Sequence, residues 1–193
     1  MLMEPNQTIL EEWGSIKIPA PPELEKVIVE SKSTALLVLD FQNLNCNQER
    51  RPRCVASLPK VQKLLSRARE KEMLIVYALI RSSPVEDIRE EVKPLGNEPI
   101  VKAGVDKFYK TDLENVLTTN AVSKVIITGT SAHGAVLHTA TGAAQRQLKV
   151  VVPVDGISAS EPYAEQYTAW HLANAPGTRR SVTITKCNMI EII

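Results

Sequence analysis

Short runs of consecutive apolar and β-branched residues recur along the chain: TALLVLD ending at Asp40, MLIVYALI from Met73 to Ile80, KVIITG ending at Gly129, and KVVVPVD ending at Asp155. Each run is too short for a buried helix and too continuous for a strand with one wet face, so each predicts a strand of a parallel sheet covered on both sides. Helical spacing fills the intervals. Val61 to Lys71 places Leu64, Leu65 and Ala68 on one side, Thr111 stands ready to cap DLENVL, and His133 to Leu148 is rich in alanine. Pro162 is suited to open a further helix through Tyr167 and Trp170 to Ala173, stopped by Pro176 and Gly177, and SVTIT follows as a last strand. Strands alternating with helices predict a three-layer α/β/α domain of Rossmann-like type, with a largely parallel, roughly six-stranded sheet, over residues 31–193. Residues 1–30 break the alternation and, with the paired prolines Pro21 and Pro22, read as an arm, either flexible or wrapped on a neighbour.

Composition narrows the partners. The 193 residues carry 23 Lys and Arg against 22 Asp and Glu, a net charge of +1, with 44% hydrophobic and 23% charged residues. A nucleic acid or an acidic membrane finds no general electrostatic footprint on such a chain. Cys46, Cys54 and Cys187 have neither a CxxC pair nor zinc-site spacing, so the expectation is three small buried thiols in a reduced, cytoplasmic protein. The opening MLMEPNQTILEEW lacks an apolar run of signal-peptide length, which agrees with that location, and no run is long enough to span a bilayer.

Ligands of open parallel sheets bind beyond the carboxyl ends of the strands. Those ends deliver Asp40 with Gln42 close behind, the small-residue stretch from Gly129 to Ala135, and Asp155. A carboxylate ending a buried strand is partly desolvated and suited to proton transfer, although the same position serves equally for capping a turn. The Gly129 stretch leads into a helix, so its backbone N–H groups can face an oxyanion; tight packing alone would also explain its small residues. Lys102, just after Ile100-Val101, is within reach of a carboxylate on the first strand, or else is surface.

Taken in order and spacing, LLVLDFQN, IVKAGVDKFYKTDLENVL and KVIITGTSAHGAVLHTATGAAQRQLKVVVPVDGIS resemble the isochorismatase-like hydrolases, also called the cysteine hydrolase superfamily, over about Thr34 to Ser160. The resemblance implies an active site of Asp, Lys and usually Cys. By motif these positions fall on Asp40, Lys102 and Ala135, so the nucleophilic thiol is replaced by a methyl group. It further implies an oxyanion hole from the backbone N–H groups of Ser131 and Ala135, a cis Thr130–Ser131 peptide, substrate contacts from Gln42, Ser131, His133 and Gly134, and a homo-oligomer, dimer or tetramer. No Asp-x-His arrangement follows the first strand, so the metal site of the nicotinamidases looks absent, and neither metal nor other cofactor is expected.

True isochorismatases resemble this chain in a small residue at the nucleophile position preceded by an Ala-His pair, here Ala132-His133. Their reaction, hydrolysis of a vinyl ether to pyruvate and a dihydroxycyclohexadiene carboxylate, calls for a general acid, a role that falls to Asp40 with Lys102 paired to it or to a substrate carboxylate. Two alternatives stand beside it: an amidase-type cysteine hydrolase inactivated by Cys-to-Ala replacement at 135, and a non-catalytic ligand-binding relative. On the helix after Pro162, Tyr163, Tyr167 and Trp170 share one face and are expected in the core or a subunit interface.

Overall fold

A computed structural model describes residues 8–193; residues 1–7 of the expected arm lie outside the described residues. The apolar runs become strands because no polar position interrupts them. β2 (Thr34–Leu39) is buried at all six of its positions, and β3 (Leu74–Ile80), β5 (Lys124–Thr130) and β6 (Lys149–Pro153) are buried almost throughout. With β4 (Ile100–Ala103) and β8 (Val182–Thr185) they form a parallel sheet in the order β4-β3-β2-β5-β6-β8. The short β7 (Ile157–Ser158) joins beyond the end of β5 and makes the sheet seven-stranded.

The strand period divides the core into two layers. Ala35, Leu37 and Leu39 of β2 point with Val125 and Ile127 toward α3 (Leu113–Thr119), α4 (Leu137–Gln145) and α5 (Pro162–Asn174). Leu36, Val38 and Ile126 point the other way, toward α2 (Pro52–Glu70). The expected helix from Val61 is in fact the second half of α2, which starts at Pro52 and carries Pro59 in its interior. A buried stripe of Leu58, Val61, Leu64, Leu65 and Ala68 holds that helix on the sheet despite the hydrogen bond a mid-helix proline forgoes.

At the start of the chain, a Thr8-capped turn of helix, α1 (Ile9–Glu12), is exposed. The chain then meets the domain at Glu25, whose N–H donates to the Ile184 carbonyl at 3.0 Å. β1 (Val27–Val29) pairs in parallel with β9 (Ile190–Ile192), a two-stranded ribbon too short to leave a periodic signal in sequence. Tyr163, Tyr167 and Trp170 do share a face of α5, but it is the outer one, 62%, 39% and 39% exposed, which removes the core reading. No helix among the described residues is long and apolar enough to cross a membrane.

Two of the three expected free thiols are joined: Cys46, in the loop after β2, and Cys54, in the first turn of α2, form a disulfide with both residues fully buried. Pairing becomes possible because the loop turns back on itself, its Cα atoms at the two cysteines lying 5.3 Å apart. Cys187 is the free one, buried near the end of the chain.

Candidate active site at the carboxyl ends of β2 and β5

The chain runs from β2 outward through β3 to β4, then returns to place β5 on the other side of β2. The order reverses between β2 and β5, and beyond their carboxyl ends lies a cavity of about 330 Å³.

Asp40 projects into this cavity from the end of β2. Its backbone lies in the left-handed region, φ +54°, which costs about 1–3 kcal/mol at a residue other than glycine. The conformation is held by its N–H donating to the Ala78 carbonyl at 2.9 Å and its carbonyl accepting from Gln42 N–H at 2.8 Å. The fully buried Lys107 donates from Nζ to both carboxylate oxygens of Asp40, at 2.8 and 2.7 Å, and to the Gly104 carbonyl at 2.9 Å, so all three ammonium donors are used. Burial pushes the Asp40 carboxyl above the usual aspartate range, while Lys107 and, more weakly, Arg51 pull it back.

The partner of Asp40 is therefore Lys107, and the expected pairing with Lys102 does not form. Lys102 lies on the edge strand β4 between buried Val101 and Ala103, and the alternation of side chains along the strand turns it to solvent. Beyond Ala103 the chain reverses, and Lys107, whose N–H donates to Thr139 Oγ1 at 3.2 Å, sends its side chain inward.

The opposite wall is built of backbone. Gly129, paired with Leu39, has φ +144°, and a Cβ there would meet the Leu39 carbonyl oxygen and lie 2.6 Å from Leu39 Cβ, so glycine alone lets β5 approach β2 beside Asp40. The Thr130–Ser131 peptide is cis. The expected helix from His133 opens as a π-helical turn, Ala132–Val136, before α4 begins. Gly134 N–H donates to Ser131 O at 3.0 Å, and a Cβ on Gly134 would stand 2.6 Å from Ser131 Oγ. Ser131, Gly134 and Ala135 all line the cavity, Ala135 presenting only its methyl group.

Two further expected contacts lie elsewhere. Gln42 is fully buried off the cavity wall, its Oε1 accepting from Ile80 N–H at 3.1 Å, where it ties the end of β2 to the end of β3. His133 is exposed and faces a separate groove between α4 and α5 that also holds His138 and His171. Asp155 accepts from Cys187 N–H at 2.8 Å, a structural role away from the cavity. Cys187 is buried, which raises its thiol and disfavours the thiolate, and it does not line the Asp40 cavity. Among the described residues, no cluster of His, Cys, Asp and Glu is arranged to hold a metal ion.

Sequence reasoning missed Asn45, Arg50 and Arg51, which come from the β2–α2 loop to line the cavity. The only signal was the dense charge of Glu49-Arg50-Arg51 just before Pro52, a proline suited to a first helical turn. The resulting site joins one buried acid with its ammonium partner, two guanidinium groups, and a turn of backbone amides, and has no thiol.

A family profile described as the isochorismatase domain matches residues 34–183. The fold is similar to that of an isochorismatase-like hydrolase from Alkaliphilus metalliredigens, 22% identical, with a TM-score of 0.72 over 81% of this chain and 95% of that one. It is similar also to a cysteine hydrolase from Pseudomonas syringae pv. phaseolicola, 20% identical, TM-score 0.74 over 86% and 94% of the two chains. The nicotinamidase of Staphylococcus aureus is 20% identical, with a TM-score of 0.69 over 80% of this chain and 99% of that one. No curated protein sequence matches the chain.

Proposed function

Since the chain belongs to the isochorismatase domain family, we propose that it hydrolyses the vinyl ether of a small molecule by general-acid catalysis from Asp40, with isochorismate as the leading substrate and no covalent intermediate on the enzyme. The single observation that carries this reading is the buried Asp40–Lys107 pair facing a cavity whose nucleophile position, Ala135, has no reactive atom. An amidase of this family would need a thiolate there.

In the proposed reaction the Asp40 carboxyl gives its proton to the terminal methylene of the enol ether, forming a C–H bond and leaving an oxocarbenium ion. Water adds to the cationic carbon and loses a proton, and the resulting hemiketal breaks its C–O bond to release pyruvate and the ring alcohol. A raised Asp40 favours holding the proton until it is needed. Lys107 stabilises the carboxylate left after transfer, so it acts on the same proton from the opposite side. The backbone N–H groups of Ser131 and Ala135, both on the cavity wall, supply donors for a substrate oxygen or carboxylate, while that of Gly134 is spent on Ser131 O.

The test is pyruvate release from isochorismate by the purified chain. Activity is expected, and Asp40→Asn is expected to lower it by about 10²–10⁴-fold, the range of a lost general acid. An intact protein that is thermally stabilised by isochorismate yet forms no pyruvate would be a binding protein instead.

A further inference from the structure

Four arginines elsewhere in this structure are neutralised by carboxylates. Arg53 is paired with Glu165, Arg69 with Glu98, Arg89 with Glu91 and Arg146 with Glu114. Among the described residues without a carboxylate within salt-bridge distance, Arg50 and Arg51 are the arginines that line the Asp40 cavity. Arg51 uses Nε on Ser160 Oγ at 3.3 Å, and Arg50 uses Nη1 on the Leu44 carbonyl at 3.3 Å. Each guanidinium has five N–H donors, so most of this donor capacity is left over. Arg51 is half-buried, and burial lowers its pKa, a cost that a bound anion would offset. Lys107 and Asp40 cancel each other, so the two arginines give the cavity a positive charge in a chain that is otherwise close to neutral.

Their backbone is fixed from both sides. Cys46 and Cys54 bracket the two arginines and are joined, with Cys46 N–H donating to Gln42 O at 2.7 Å and Cys54 N–H to Arg51 O at 2.9 Å. Within the loop, Arg50 N–H donates to Asn47 Oδ1 at 2.8 Å and Arg51 N–H to Asn47 O at 2.9 Å. Cutting the S–S link would remove the covalent tie across the loop and leave hydrogen bonds and the packing of the two cysteines to hold two like charges side by side.

We propose that Arg50 and Arg51 form a carboxylate clamp at the mouth of the Asp40 cavity, that the substrate is therefore an anion, and that the Cys46–Cys54 disulfide positions the clamp. The clamp deepens the hydrolase reading and rests on its site, but it makes a claim about binding that holds or fails without turnover. Reduction by a dithiol breaks the S–S bond, adds two electrons and two protons to give two thiols, and oxidises the dithiol to its own cyclic disulfide. The clamp is then expected to loosen for anions while neutral ligands bind as before.

The test is calorimetric titration of the full chain with benzoate and with benzamide, which share a ring and differ in charge. Benzoate is expected to bind about tenfold or more tightly than benzamide, the value of one charge-assisted contact. Arg50→Gln with Arg51→Gln should remove that preference and leave benzamide within about twofold, and the single Arg51→Lys, which keeps the charge but not the planar fork, should keep part of it. Dithiol treatment should weaken benzoate and spare benzamide, and reoxidation should restore it; Cys46→Ser with Cys54→Ser gives the same comparison without reagent, with circular dichroism checking the fold. Benzoate binding no tighter than benzamide, complete lack of binding included, overturns the clamp. An unchanged benzoate preference after verified reduction overturns the positioning role. A benzoate preference without pyruvate release from isochorismate keeps the clamp and removes the hydrolase reading, and pyruvate release without the preference does the reverse.

Discussion

The two walls of the cavity are made by opposite means. On the β2 side the chemistry sits in side chains: Asp40 forced into a left-handed backbone, Lys107 buried against it, and Arg50 and Arg51 on a cross-linked loop. On the β5 side almost nothing is contributed by side chains. Gly129, Ser131, Gly134 and Ala135 supply close approach, amide hydrogens and a methyl group. A charged wall must be stabilised by pairing and cross-linking, because each buried charge is costly alone. A backbone wall needs only that nothing bulky intrude. The two should therefore fail differently when altered.

The largest effect is expected on the charged wall. Lys107→Met strands Asp40 in a buried site and should cost about 3–5 kcal/mol in denaturant unfolding, whereas adding Asp40→Asn should recover a good part of that loss. A double variant no more stable than Lys107→Met alone would mean the pair is not coupled as the geometry has it. The same Lys107→Met removes an interaction that lowers the Asp40 pKa, so if any activity survives, its decline at high pH should move to still higher pH. Next comes the backbone wall: Gly129→Ala pushes a methyl into Leu39 and should cost about 1–3 kcal/mol, read as a lowered melting temperature.

A smaller and slower effect concerns pH. Because Asp40 is raised in the folded protein, the folded state holds its proton more tightly than the unfolded chain does. Its contribution to stability is complete below the ordinary value of 3.8 and is lost as pH climbs from there through the raised value, then stays flat. The difference in unfolding free energy between the protein and Asp40→Asn should follow that course, and a constant difference across the window would contradict the burial of the carboxyl. The smallest change is Ala135→Cys, expected to shift stability by less than about 1 kcal/mol. It places a thiol on the cavity wall, where iodoacetamide should alkylate it faster than it modifies buried Cys187.

How much of this was legible in sequence follows from how local each cause is. β2, β3 and β5 were readable because burial on both faces writes an unbroken apolar run, and Asp40 and the Ser131–Ala135 turn followed from the ends of those runs. Lys107 was not, because the choice between it and Lys102 depends on how the chain reverses after Ala103, which periodicity does not record. The Cys46–Cys54 link and Arg51 depend on one loop folding back onto α2, and β1 finds its partner only at β9, at the far end of the sequence. The expected helix begins at Val61, whereas α2 already starts at Pro52 and tolerates Pro59 in its interior, where a proline ordinarily breaks a helix.

The pairing of β2 with β5 has a consequence for biosynthesis. Thr128 Oγ1 bonds the Leu37 carbonyl across 91 residues of sequence. At a synthesis rate of roughly 5–20 residues per second, β2 leaves the ribosome roughly 5–20 s before its inner neighbour exists. During that interval β2, with β3 on one flank, presents an open hydrophobic edge on the other, the kind of edge that nascent chains most need shielded. Ribosome-associated chaperones should therefore contact this chain most strongly between the emergence of β3 and that of β5.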